Sequence, residues 1–249
     1  MSGRHWVRNA GSAQVLELGG QLREMLVLFD VDGTLLDGGR VIVDTMEQAF
    51  LAAGETPPDP EAVKGIIGLS LPEMVDKLAA HLPRDLRNKI LAGYRFRYFD
   101  AIERQDEAPV FPGAETAILR LRRHGIPLGI TTGKSRRSLT HMLDTMGWHH
   151  HFRTLQCAED NPSKPDRTMV WKAMFDADRR ARHTILVGDS RYDMRMAANA
   201  GIRAIGVSWG YNPPEELLAE GAIGIARDFD HLTEMLLTLA GSWAEALEA

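Results

Sequence analysis

Short, nearly continuous apolar runs recur along the chain and alternate with longer stretches whose apolar positions fall three and four apart. The runs at 25–30, 127–132, 153–157, 184–189 and 204–207, with a weaker one at 222–225, predict strands. Between them Ala114, Ala117, Ile118 and Leu121 form one helical face, and Leu139, Met142, Leu143 and Met146 form another. Strand and helix in alternation imply an α/β fold, a Rossmann-like three-layer core whose parallel sheet is wrapped by helices. The reactive crevice of such a sheet lies at the carboxyl ends of its strands, where Asp30, Thr132 and Asp189 fall.

Residues 38–107 interrupt the alternation. They hold no convincing strand, only helical stretches at 41–53, 71–81 and 85–103, with ETPPDP at 55–60 as a turn. A helical cap domain inserted over the crevice is expected there, leaving 25–37 and 108–249 as the core domain. Gly38, Gly39 and residues 108–113 are the expected hinges of this lid. Residues 1–24 mix glycine, charge and isolated apolar residues, and predict a mostly flexible extension with a short turn around 15–18. Met25 stands directly before the first strand, so a start there would give a complete domain.

Composition removes several classes of function. The formal net charge of -5 provides no basic stripe for nucleic acid, and no apolar run approaches the length of a membrane span. The single cysteine, Cys157, excludes an internal disulfide framework, and no signal-peptide core is evident, so a cytoplasmic protein acting on a small molecule is expected.

The chemistry is concentrated at two strand ends. LVLFDVDGTLLD, residues 26–37, closes an apolar run with Asp30 and Asp32, whose mutual repulsion is costly unless a cation or a reaction uses it. Gly33 permits a tight exit, and Thr34 is expected to hydrogen-bond locally in that turn. ILVGDSRYDM, residues 185–194, repeats the arrangement, with Asp193 four residues after Asp189 and aimed at the same crevice if a helix begins at Ser190. The plainer reading, a helix N-cap at Asp189 or Ser190, stands beside it. Thr132 in GITTGKS ends a strand, with Thr131 as its competitor, although alternation turns Thr131 elsewhere. A lysine such as Lys164, before a proline, is by itself most often a solvated surface residue.

Taken in order, DVDGT at 30–34, Thr132, Lys164–Pro165 and GDSRYD at 188–193 resemble the four motifs of the haloacid dehalogenase superfamily of phosphohydrolases. The likeness runs from Met25 to about residue 240 and is greatest to the first subfamily, phosphoglycolate phosphatase-like enzymes, which share the VSWGY stretch at 207–211. The resemblance implies a nucleophile at Asp30, which forms an aspartyl-phosphate, and a general acid and base at Asp32. It implies Mg2+ held by Asp30, the backbone carbonyl of Asp32, and Asp189, with Asp193 orienting a metal-bound water or Lys164. Thr132, Gly133 and Lys164 are the implied phosphate-binding residues, Gly133 standing where the family more often has asparagine. The cap segment GIIGLSLPEM, with Gly68, Leu69 and Ser70 and nearby Lys64, resembles a substrate-specificity loop.

A magnesium-dependent phosphatase of small phosphate monoesters follows as the leading expectation, with phosphoglycolate as its substrate. Phosphoryl transfer between sugar hydroxyls, as in a phosphoglucomutase, is the alternative, and a non-catalytic metabolite-binding protein the third reading. The triplet His149–His151 is set aside as a zinc site because adjacent side chains diverge, and Arg136, Arg137, Tyr94, Arg95 and Arg97 are assigned to surface or packing.

Overall fold

The computed structural model describes residues 24–103 and 108–245. The predicted N-terminal extension therefore lies outside the described residues, apart from Glu24.

Five of the six strands form where the apolar runs predict them, within a residue or two: β1 (Leu26–Phe29), β2 (Leu128–Thr131), β3 (Phe152–Gln156), β4 (Thr184–Gly188) and β5 (Arg203–Val207). The sixth, β6 (Ile225–Ala226), starts three residues later than the sequence suggests. Ala222 spends its amide on the carbonyl of Leu217, finishing the turn after the preceding helix, so the ladder cannot begin there. The sheet is parallel throughout, in the order β3-β2-β1-β4-β5-β6. The order reverses between β1 and β4, which places the ligand crevice outside the ends of those two strands.

Both faces of the sheet are covered, and β1 shows how. Leu26 and Leu28 point into one layer, against Met169, Val170, Met194 and Ala197. Val27 and Phe29 point into the other, against Ile118, Leu121, Leu139 and Leu232. Each of these fully buried side chains contributes about 1.5–3 kcal/mol of transfer free energy, so β1 is a rigid base for whatever follows Phe29.

Between β1 and β2 the chain forms helices α1 (Gly39–Ala53), α2 (Pro60–Lys64), α3 (Leu71–Leu78), α4 (Arg84–Glu103) and α5 (Ala114–Arg123). Helix α2 is not among the predicted elements. Its five residues are too few to show a period, and only Asp59, whose side chain accepts from the amide of Glu61, marks its start. Helix α3 stops before the predicted end at 81, with Ala79 as its last capped position. Ile42, Met46, Phe50, Met74, Ile90 and Tyr94 make an apolar cluster within this helical insertion, joined by Tyr192 from the core. The two chain crossings lie side by side, bonded from Asp37 N–H to Pro109 O at 2.9 Å and from Phe111 N–H to Leu35 O at 3.0 Å.

The remaining helices are α6 (Arg136–Met146), α7 (Thr168–Ala177), α8 (Arg191–Ala200), α9 (Pro214–Ala219) and α10 (Phe229–Glu245). Among the described residues no helix is long and apolar enough to cross a membrane.

Candidate active site

Asp30 follows directly on β1, and its amide donates to the carbonyl of Val187 on β4 at 2.9 Å. Asp189 follows β4 in the same way. Carboxylate oxygens of Asp30, Asp189 and Asp193 come within 4.8 Å of one another, all buried. Gly33, at φ 85°, is in the left-handed region that favours glycine. A Cβ there would stand 2.2 Å from Asp189 Oδ2, so both conformation and space demand its hydrogen.

The partners of the acids sort their roles. The Thr34 hydroxyl donates to Asp189 Oδ1 at 3.1 Å and the Tyr211 amide to Asp189 Oδ2 at 2.9 Å. Thr34 thus ties one strand end to the other rather than bonding within its own turn, as the sequence suggests; the backbone amide of Thr34, bonded to Val31 O at 3.1 Å, holds the turn. Helix α8 begins at Arg191, with Ser190 as N-cap and a capping box to Asp193. Capping and crevice readings of GDSRYD are therefore both realised: Asp193 Oδ2 accepts from Ser190, while its Oδ1 accepts from Lys164 at 2.6 Å. The Lys164 side chain is fully buried, not solvated, and its ammonium also lies 2.8 Å from Asp30 Oδ1. Among the described residues no hydrogen bond of good alignment reaches either oxygen of Asp30.

Burial dominates the electrostatics. It raises the Asp30 carboxyl to about 7, Lys164 opposing the rise and Asp193 adding to it. Asp189 is pushed well above the usual carboxylate range by burial and then by Asp30 and Asp193. Burial pulls the Lys164 ammonium down, but Asp193 and Asp30 together overcome it and leave its pKa raised. Three buried carboxyl groups share one ammonium, so ionising all three would leave two negative charges uncompensated. The under-bonded oxygens of Asp30 and this excess charge fit a hard divalent cation bound through oxygen.

Asp32 opens onto the same crevice but is held differently. The ammonium of Lys134 donates to both its oxygens, at 2.8 and 3.0 Å, and to the Tyr98 hydroxyl of α4 at 2.9 Å. Burial lowers the Lys134 ammonium, but Asp32 and then Tyr98 reverse this and raise it. The sequence reading omits Lys134. The available signal was its position, two residues beyond a strand-terminal threonine and at the mouth of the same crevice.

A cavity of about 470 Å3 lies between insertion and core, lined among others by Asp30, Asp32, Thr132, Gly133 and Lys134. The Thr132 hydroxyl accepts from the Lys134 amide at 3.2 Å and so retains its own proton to donate. Thr131 is buried and does not line the cavity, in keeping with strand alternation. Gly133 packs against the insertion: a Cβ there would stand 2.4 Å from the Leu69 carbonyl and 2.6 Å from that of Gly68. Gly68, Leu69 and Ser70 line the cavity, and the Ser70 amide donates to the Ser163 hydroxyl beside Lys164 at 2.8 Å.

Lys64 does not share this position. It is half-exposed, pairs with Glu61 at 2.8 Å, and is absent from the cavity wall, because helix α2 directs it outward one turn before the loop enters. Tyr94, Arg95 and Arg137 do line the cavity, although the sequence assigns them to surface or packing. Arg136 instead pairs with Asp160 at the surface. His149 pairs with Asp144 and His151 meets Arg122, and no acid or cysteine completes a metal set around the triplet among the described residues.

The sequence profile of the haloacid dehalogenase-like hydrolases matches residues 27–207, most of the chain and all four motif positions. The chain belongs to this family. As a haloacid dehalogenase-like hydrolase it is 32% identical to a phosphoglycolate phosphatase of Pseudomonas fluorescens over 191 residues, 75% of this chain and 70% of that protein. A phosphoglycolate phosphatase of Pseudomonas putida is 30% identical over 202 residues, 78% of this chain and 73% of that one. Among solved structures, a haloacid dehalogenase-like family hydrolase from Streptococcus pneumoniae superposes with a TM-score of 0.73 at 25% identity, covering 85% of this chain and 97% of that one. These relatives place the chain among the phosphatases of the family.

Proposed function

We propose that this hydrolase cleaves small phosphate monoesters in the presence of Mg2+ through an aspartyl-phosphate on Asp30, with phosphoglycolate the first ester to test because its relatives carry that name. The observation that carries the proposal is the buried Asp30 carboxylate, one oxygen paired with Lys164 and the other without a hydrogen-bond partner among the described residues, facing the cavity beside Asp32 and Thr132. Asp30, Asp189 and the backbone carbonyl of Asp32 would hold the Mg2+, which when bound offsets charge on the carboxylates and on the transferring phosphoryl group. Asp193, spent on Ser190 and Lys164, orients rather than ligates.

In the forward half-reaction Asp30 attacks phosphorus, and the leaving alcohol takes a proton from Asp32. In the return half-reaction Asp32 accepts a proton from water as that water attacks the aspartyl-phosphate and regenerates Asp30. Thr132 donates its hydroxyl proton to a phosphoryl oxygen, and Lys164 keeps the Asp30 environment balanced as charge moves. Lys134 anchors the Asp32 carboxyl in the resting site and turns to the phosphoryl oxygens when an ester enters, while Asp32 delivers to the leaving alcohol the proton it took from water in the preceding turnover. The helical insertion, residues 38–107, serves as the cap domain and excludes water. The polar contacts that join it to the core include Tyr98 to Lys134, Ser70 to Ser163, and Arg191 to the carbonyl of Gly65, and opening would break them.

Phosphate release from a panel of monoesters, with Mg2+ and with chelator, tests the proposal. Turnover that vanishes with chelator supports it, and equal release in both conditions contradicts the metal assignment. Lys134→Ala should lower kcat/KM by about 10²–10³-fold, since it removes a charged donor from the reacting group. Retention of native kcat/KM would show that Lys134 only braces the cap.

Proton linkage provides a separate check that needs no substrate. With Asp30 raised from 3.8 to about 7, the folded state binds this proton more tightly than the unfolded chain. Without a cation this contribution to stability is complete at acid pH and is lost as pH rises from about 4 to about 7. Mg2+ needs the ionised carboxylate, so its stabilising effect runs the other way. At a concentration near 100 times Kd it adds about 2.7 kcal/mol, a rise of roughly 5–10 °C in Tm. Melting curves should show a larger Mg2+ shift at about pH 8 than at about pH 5, and equal shifts would refute the linkage.

A further inference from the structure

Phosphoryl chemistry at Asp30 occupies one end of the 470 Å3 cavity. From the insertion the rest of the wall is mostly apolar, with Ile67, Leu71, Met74, Tyr94, Tyr98 and Phe99, while Ser70 and Arg95 also reach it. The rings are ordered against each other. Tyr94 and Tyr98 stack with centroids 5.6 Å apart and planes 12° from parallel, and Phe99 meets Tyr98 edge-on at 6.2 Å and 78°. From the core side the Arg137 guanidinium covers the Phe99 ring at 3.9 Å. Cavities of about 300–1,000 Å3 hold ligands of drug size, far larger than a two-carbon acid phosphate.

We infer that the preferred substrate is a phosphate monoester whose leaving alcohol carries a flat, largely apolar ring, rather than phosphoglycolate. This rests on the phosphatase reading and names the substrate class of that same site. Both size and polarity support it. A second carboxylate pushed beyond the phosphate would be desolvated against leucine, methionine and aromatic carbon, at a cost only a fixed cation could offset. Of the cations nearby, Lys134 is bonded to Asp32 and Tyr98, Lys64 is outside the cavity, Arg137 lines the cavity with its guanidinium over the Phe99 ring, and Arg95 lines it as an exposed residue. A planar ring meets none of that cost. It replaces water on apolar surface and can stack in the offset or edge-to-face geometries the wall already displays.

Ethyl phosphate and 2-phenylethyl phosphate decide the matter, because both release a simple primary alcohol and differ chiefly in the ring; phosphoglycolate is measured beside them. With the Mg2+-loaded native protein, kcat/KM for 2-phenylethyl phosphate should exceed that for ethyl phosphate by about 10- to 100-fold and should exceed that for phosphoglycolate. In Phe99→Ala the ratio between the two alkyl esters should fall several-fold. Equal values for the two alkyl esters in the native protein, an unchanged ratio in a folded Phe99→Ala, or phosphoglycolate ahead of 2-phenylethyl phosphate would each overturn the inference and leave the phosphatase in place. Absence of Mg2+-dependent release from all three esters would overturn both.

Discussion

Asp30→Asn is expected to lower phosphate release by about 10⁴-fold or more while leaving the fold intact. The amide matches the carboxylate in shape but cannot form the acyl-phosphate, so the loss falls on the chemical step. The same substitution should raise the melting temperature of the Mg2+-free protein. Burial already pushes the Asp30 carboxyl up to about 7, so a neutral group is the better occupant of an empty site above that pH. Loss of activity with a gain in metal-free stability is a combination that a merely damaged fold does not produce. Acid quench of the native enzyme during turnover, followed by peptide mass analysis, should place a phosphoryl group on the peptide that contains Asp30. Residual turnover within tenfold of native, or a phosphoryl group on another residue, would remove Asp30 from the nucleophile's role.

The parts of this site that were legible in the sequence are those whose position is set by regular structure. Asp30 and Asp189 are the first residues after fully buried, largely apolar strands, and parallel pairing of β1 with β4 brings them together whatever the surrounding loops do. Asp193 follows because a helix starting after Ser190 returns its third residue toward the cap. Lys164 was legible only through its order among the motifs. Nothing local distinguishes a buried lysine in a loop from a solvated one until the acids that receive it are in place.

Loops and long side chains account for the errors. Lys64 and Ser70 are near in sequence, yet only Ser70 reaches the cavity, because the short helix α2 fixes which way Lys64 leaves the backbone. Lys134 was overlooked because its contacts, Asp32 and Tyr98, come from different parts of the chain, and a flexible four-carbon stem carries no periodic signal. Tyr94 was assigned to surface or packing, and Tyr98, one helical turn further along α4, was not singled out. They do pack, and the face left over becomes the cavity wall.

Replacing Lys164 should show the largest combined loss of stability and activity. Its side chain is 0% exposed between Asp30 Oδ1 at 2.8 Å and Asp193 Oδ1 at 2.6 Å, and methionine would fill its volume without its charge. Removing one partner of a buried ionic set typically costs about 3–5 kcal/mol, because the remaining charge is left uncompensated. For a chain of this size that corresponds to a fall in Tm of roughly 6–20 °C. Turnover should drop by about 10²–10³-fold as well, since Asp30 loses its only described cationic neighbour on the reaction path. The double variant Lys164→Met with Asp193→Asn separates the two effects. It removes one buried negative charge along with the positive one, so most of the stability should return, whereas Asp30 still lacks its ammonium and turnover should stay low. Recovery of both together would mean that Lys164 only neutralises Asp193. Recovery of stability alone would assign the ammonium to the chemistry at Asp30.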